Sequence, residues 1–248
     1  MNVPRINTHL FALYYLGKKI THHNLLVITD TDLIHRMHRV LRLEVGDTCI
    51  LFDRTTWMEV TLTALARATI TCTVIAQHDI KPWYPKIRFL LPVLKREALA
   101  TAIYNLVEAG VQEIQLIQPQ KVHRTFGGTK ELERLERIAI AAAEQSKNFA
   151  VPDIKEPISW EEALILLQKT TSYVGDPTGI PIFDSLGERR KLPDLCTLLV
   201  GPEGDFTPRE YAELKEAHVI SLQLTPTILR AEMAAFYLAA LFRSFFVQ

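Results

Sequence analysis

Two segments in the C-terminal half carry side chains that could do chemistry, each where an apolar strand runs into a loop and then a helix. Residues 198–206 read LLVGPEGDF, and residues 224–235 read LTPTILRAEMAA. In open α/β folds such loops gather backbone N–H and C=O groups at the C-terminal edge of the sheet, where ligands bind. Gly201 and Gly204 allow close backbone approach and unusual φ/ψ, and Pro202 stiffens the loop. Glu203 is then a carboxylate displayed on a rigid loop. Thr207-Pro208-Arg209-Glu210 reads as a helix start, with Thr at the N-cap, Pro at the first position and Glu at the third. Leu199, Val200, Leu224, Ile228 and Leu229 supply apolar walls for an adenosine-like ligand held through backbone groups.

Arg230 and Glu232 open the last helix. Beside a ligand, Arg230 would offset a developing anion, and Glu232 would accept a proton or fix a substrate hydrogen bond. Plainer roles fit the same residues. The first loop also reads as an ordinary tight turn, and the Arg-x-Glu pair as a charge pair with Glu232 favoured by the helix dipole. No G-x-G-x-x-G follows a strand, and neither a phosphate-binding G-x-x-x-x-G-K-[ST] loop nor a G-x-S-x-G elbow occurs.

A second cluster lies near the N-terminus, where His35, Arg36, His38, Arg39 and Arg42 fall within eight residues. On a helix, His35, His38/Arg39 and Arg42 share one face. Arginine forks suit phosphates and stack on bases, so this face reads as an RNA contact, which Arg5 and His9 extend. A solvated surface helix with Val40 and Leu41 inward is the alternative. Two histidines without a third spaced ligand make no metal site. Lys121, His123 and Arg124, with Glu144-Gln145-Ser146, could line a polar cleft, with Arg124 a further RNA contact, or simply cap helices at the surface.

The chain has 248 residues, 48% of them apolar, and a net charge of zero. That supports one large domain or two smaller ones and argues against disorder. The charge is uneven: residues 1–89 hold 11 Lys and Arg against 7 Asp and Glu, and residues 90–248 hold 17 against 21. A basic front half is suited to an anionic partner or to a solvated face. Cys49, Cys72 and Cys196 are isolated, which fits a reducing cytosol. The N-terminus shows no signal-peptide pattern. Arg230, Glu232 and Arg243 interrupt the apolar C-terminal stretch, so a buried helix is expected there and not a membrane span.

The elements that must position these residues change character along the chain. Runs at 48–53, 57–63 and 68–76 are short β-strands, the first two joined through Arg54-Thr55-Thr56, and together they indicate a small β-barrel. Residues 79–86, DIKPWYPK, read as an extended linker. The expected division is therefore 1–78 and 79–248, with 79–88 as linker. Beyond it, strands at 87–92, 112–117, 172–175, 195–200 and 219–224 alternate with helices at 96–109, 130–147, 160–169, 211–217 and 229–246, the first ending at Gly110. That is the pattern of an α/β fold with a mostly parallel sheet covered on both faces.

Taken together, HRVLRLEVGD (38–47) with LFDR, VEAGVQEIQLI (107–117), RLERIAIAAAEQS (134–146) with VPDI, LLVGPEGDFTPRE and ILRAEMAA resemble the RsmE family of small-subunit (16S) rRNA uridine N3-methyltransferases, in the SPOUT superfamily. The resemblance runs nearly end to end. It implies a PUA-like β-barrel for RNA followed by an α/β methyltransferase domain with a deep trefoil knot. It also implies a homodimer, S-adenosylmethionine as cosubstrate, rRNA in the small ribosomal subunit as partner, and no metal. By position, Leu199, Val200, Gly201, Glu203 and Gly204 would form the first cofactor loop, and Leu224, Ile228, Leu229 and Arg230 the second. Arg230 and Glu232 would stand at the methyl transfer. Arg36, Arg39 and Arg42 would bind rRNA. The chain departs from the family pattern at Asp205 and Thr225 (usually glycine), at Met233 (usually threonine) and near Asn105 (usually lysine). A binding-only assembly factor, a methyltransferase for another RNA base and a doubly wound enzyme for another nucleotide are the rival readings.

Overall fold

The computed structural model describes residues 9–17, 24–81, 83–122, 124–187 and 193–246. Two units partition the chain: Met1–Lys81 with Ala143–Ala150, and Pro82–Ala142 with Val151–Gln248.

The first unit is built on strands β1 (Ala12–Tyr14), β2 (Leu25–Ile28), β3 (Thr48–Phe52), β4 (Thr56–Leu65) and β5 (Ile70–Asp79), in the order β1-β3-β4-β5-β2. β3, β4 and β5 form an antiparallel meander; β2 pairs antiparallel with β5, and β1 parallel with β3. Asp53 closes the first hairpin, its Oδ1 accepting from the Thr55 and Thr56 amides and the Thr55 hydroxyl. An aspartate that bonds the backbone two residues on mimics a turn. Alternate residues of the strands, among them Cys49, Leu51, Met58, Val60, Leu62 and Cys72, form a core with Leu33, Ile34 and Met37. Helix α1 (Thr31–His35) starts at Asp30, whose side chain accepts from the Leu33 amide, and the chain continues as a π-helical turn over Arg36–Val40. That turn reshapes the expected basic face. Arg42 leaves the helical path with φ +55°, and Val40 is exposed and not inward.

In the second unit, β6 (Lys86–Pro92), β7 (Glu113–Gln118), β8 (Asp153–Ser159), β9 (Thr171–Pro181), β10 (Leu195–Val200) and β11 (Ile220–Gln223) make one sheet in the order β11-β9-β10-β6-β7-β8. Every pairing in it is parallel. Helices α2 (Arg96–Glu108), α3 (Thr129–Ser146), α4 (Trp160–Gln168), α5 (Ile182–Gly187), α6 (Pro208–Glu216) and α7 (Ala231–Phe246) follow the strands, the last turn of α3 being grouped with the first unit. Successive strand residues point to opposite faces. Val174 and Leu199 therefore join Trp160, Leu167 and Leu214 of α4 and α6, whereas Tyr173 meets Phe242 of α7, ring centroids 4.7 Å apart. α7 also packs on α2. The chain runs outward from β6 to β7 and β8, crosses to the other side of β6 as β9, and then fills the place between β9 and β6 with β10. A topological switch point thus lies between β6 and β10.

Strand β9 runs further than the sequence pattern gave, through Pro177 and Gly179, because its second half pairs with β11 across a register shift. A Cβ on Gly179 would lie 2.5 Å from the Ser221 carbonyl carbon, so only glycine fits that approach. β8 was not expected, since Pro157 and its charges hide it. It is an edge strand, where proline is tolerated. Of the expected linker 79–88, Asp79 ends β5 and Lys86 begins β6. Arg243, which interrupts the apolar C-terminal stretch, is buried. Its guanidinium donates to the Pro85 and Gly110 carbonyls at 3.1 and 2.8 Å, and burial pulls its pKa down to about 10. Among the described residues no helix is long and apolar enough to cross a membrane.

Candidate active site

At the C-terminal edge of this sheet lies a cleft of about 910 Å³, lined from the segments that follow β6, β10 and β11 and from the middle of β9. Val200, Gly201, Glu203, Leu224, Ile228, Leu229, Arg230 and Glu232 all line it, as the two-loop reading expects. Leu199 and Gly204 do not. Leu199 is fully buried in the core with Leu90 and Val174, since alternation turns it away from its neighbour Val200. Gly204 faces Lys121, and a Cβ there would sit 3.2 Å from the Lys121 Cβ.

The first loop is fastened on several sides. Glu203 Oε1 accepts from the Lys95 amide at 2.8 Å, which ties the loop to the segment after β6. Lys121 Nζ donates to the Gly204 and Phe206 carbonyls at 2.9 and 3.2 Å. Thr207 caps α6 in a capping box with Glu210, as the sequence indicates. Glu210 is itself buried and also accepts from the Gln120 amide at 2.8 Å. The unusual φ expected of the glycines falls instead on Asp205, at +59°. Its Oδ1 accepts from the Phe206 amide and the Tyr211 hydroxyl, both at 2.8 Å. Burial, and then the Asp205 carboxylate, raise the pKa of Tyr211 and keep it a donor.

The second loop is held mainly by itself. Thr225 Oγ1 donates to the Thr227 carbonyl at 2.6 Å, and the Arg230 carbonyl accepts from the Met233 and Ala234 amides as α7 begins. Ile228 is 86% exposed and Met233 45%. Among the described residues the Arg230 and Glu232 side chains make no hydrogen bond or ion pair, so both remain available to a ligand. Sequence reasoning missed Lys95, Thr101 and Asp176, which also line the cleft. A signal existed: IRFLLPVLKREALA (87–100) repeats the strand–loop–helix grammar of the other two loops. Glu97, Asp176, Glu203, Asp205 and Glu232 face only Lys95 and Arg230 among the charged lining residues, which favours a ligand carrying positive charge.

The candidate RNA contacts are divided in a way spacing did not reveal. His35, His38, Arg39 and Arg42 are exposed on the first unit. Arg36 is held by Glu144 through two hydrogen bonds of 3.1 and 2.6 Å, while the same carboxylate accepts from the Tyr14 amide. Its guanidinium is thereby committed within the unit. Arg124 is similarly engaged, paired with Glu131 at 2.7 and 2.9 Å and donating to the Leu94 carbonyl. Arg5 and His123 lie outside the described residues. Among the described residues no group of His, Cys, Asp or Glu is arranged to hold a metal ion.

Residues 82–243 match a family model described as an RNA methyltransferase domain. The ribosomal RNA small subunit methyltransferase E of Mesomycoplasma hyopneumoniae is 30% identical over 158 residues, covering 62% of this chain and 67% of that protein. The protein named ribosomal RNA small subunit methyltransferase E 2 of Borreliella burgdorferi is 26% identical over 231 residues, covering 89% and 92%. A crystal structure of the methyltransferase E from Neisseria gonorrhoeae bound to S-adenosyl methionine has a TM-score of 0.82 to this chain. The identity there is 22%, with 95% of this chain and 98% of that one covered, and it shares the fold.

Proposed function

Because this chain belongs to the family of RNA methyltransferase domains, we propose that it transfers a methyl group from S-adenosylmethionine to N3 of a uridine in small-subunit rRNA. The observation that carries this reading is the cleft at the switch point, where the Val200–Gly201 turn faces Arg230 and Glu232. The main-chain groups and apolar walls of the two loops suit an adenosine moiety, and the surplus of carboxylates suits a sulfonium donor. The relatives named as ribosomal RNA small subunit methyltransferases support methylation of that RNA.

The uracil N3–H is a poor nucleophile and must lose its proton before or during attack. Glu232, or a water it orients, accepts that proton; Arg230 stabilises the uracil anion. N3 then bonds the methyl carbon as the sulfur–carbon bond breaks, and S-adenosylhomocysteine leaves. Holding both reactants in line supplies much of the acceleration. The target base has to be single-stranded or turned out of its stack. Exposed His35, His38, Arg39 and Arg42 hold the RNA backbone.

The same reading carries the larger architecture. The five strands of the first unit serve as a PUA-like RNA-binding barrel in a domain of residues 1–78. Residues 79–248 form the methyltransferase domain with a trefoil knot in its C-terminal part. Exposed Ile228 and Met233 beside the cleft support a homodimer. The work is done in the cytoplasm, on the small ribosomal subunit. Mass spectrometry of rRNA nucleosides from cells with and without the gene tests the activity. Loss of N3-methyluridine from small-subunit rRNA is expected, and an unchanged level would refute it.

A further inference from the structure

We infer that Asp205 is a positioning residue for the cleft, its carboxylate fastening the 201–205 turn to helix α6 in the shape that receives the donor. This rests on reading the cleft as the S-adenosylmethionine site. Asp205 occupies the left-handed region, with φ +59°, which is strained for a residue other than glycine. Its amide donates to the Pro202 carbonyl at 2.9 Å, closing the turn. What the side chain gains is specific. One oxygen, Oδ1, takes both the Phe206 amide and the Tyr211 hydroxyl, and it lies 3.2 Å from where a Cβ on Gly201 would stand. A single atom therefore bonds the residue after the turn and the helix behind it while standing beside Gly201 of the turn itself.

The helix side of this latch is rigid. Tyr211 packs edge-on against Phe206 at 5.6 Å, and Phe206 packs on Trp160 at 5.3 Å. Trp160 Nε1 donates to Glu213 of α6 at 2.7 Å. Glu203 and Lys121 fix the turn toward the segments after β6 and β7; Asp205 fixes it toward α6. With glycine at 205 the backbone would keep its φ freely and lose this third tether.

Calorimetric titration of the full chain with S-adenosylmethionine and S-adenosylhomocysteine tests the inference, alongside thermal unfolding and initial-rate kinetics. Asp205→Gly is expected to weaken both ligands by about tenfold, the equivalent of roughly 1.4 kcal/mol, with the loss in KM and not in kcat. Asp205→Asn, whose amide oxygen can accept the same two bonds, should restore binding to within about threefold, since a neutral amide oxygen remains a good acceptor. Tyr211→Phe should fall between them. Hydrogen exchange at the Phe206 amide in the unliganded protein should quicken in Asp205→Gly and not in Asp205→Asn. Wild-type binding with an unaffected Asp205→Gly variant would overturn the inference alone. So would a loss confined to the cationic donor and equal in the Asn variant, since that is the mark of charge and not of position. A wild-type chain that takes up neither compound would overturn the underlying reading, and the inference with it.

Discussion

The 201–207 loop is tied to the segments after β6 and β7 and to α6, through Glu203, Lys121, Glu210 and Asp205. The 224–230 loop across the cleft carries only bonds between Thr225 and Thr227 among its described side chains and an isoleucine almost wholly in solvent. The first loop is a preformed wall. The second ends at Arg230 and leads into Glu232 in the first turn of α7, and its Ile228 stands exposed beside the cleft. Rigid support on one side and available reactive groups on the other is the division expected where a fixed site must admit a large substrate.

Substitutions on the two loops should therefore fail differently. Arg230→Ala should lower the transfer rate by about 100-fold or more, the scale of losing a group that stabilises developing negative charge, while the unfolding temperature stays put; single-turnover methylation and a thermal melt check both. On the braced side the largest effect should be on folding. Glu210→Ala leaves the Thr207 and Gln120 amides without their buried acceptor and should cost about 2–3 kcal/mol in denaturant unfolding. A variant as stable as wild type would mean that this bracing is decorative. Glu203→Ala should cost less, about 1 kcal/mol, with a matching loss of donor affinity that Glu203→Gln recovers, because the amide oxygen still reaches the Lys95 amide. Smallest of all, Thr225→Val should change stability by no more than about 0.5 kcal/mol, as its hydroxyl serves only its own exposed loop.

Much of the cleft was legible because its grammar is local. An apolar run, a Gly-Pro turn and a capping box are set by residues within a few positions of one another, and the strand over Leu195–Val200 and the cap at Thr207 stand where the pattern put them. What escaped was long-range. The carboxylate of Glu203 lines the cleft, but one of its oxygens is taken by an amide 108 positions away. Arg36, read as a phosphate contact, is claimed by Glu144, 108 positions on. No spacing rule encodes such partners. β1 and β2, of three and four residues, are too short to show a period. Asp205 illustrates a different limit: the unusual φ was assigned to the neighbouring glycines, but in a turn closed from Pro202 the fourth residue takes it, and aspartate tolerates the left-handed region better than most.

The most direct test of the account is a crystal structure of the full chain soaked with S-adenosylmethionine. The donor should fill the cleft between Gly201 and Leu229, with its methyl group open toward Arg230 and Glu232. Density elsewhere, or a cleft left empty at saturating donor with α7 drawn across it, would contradict the account.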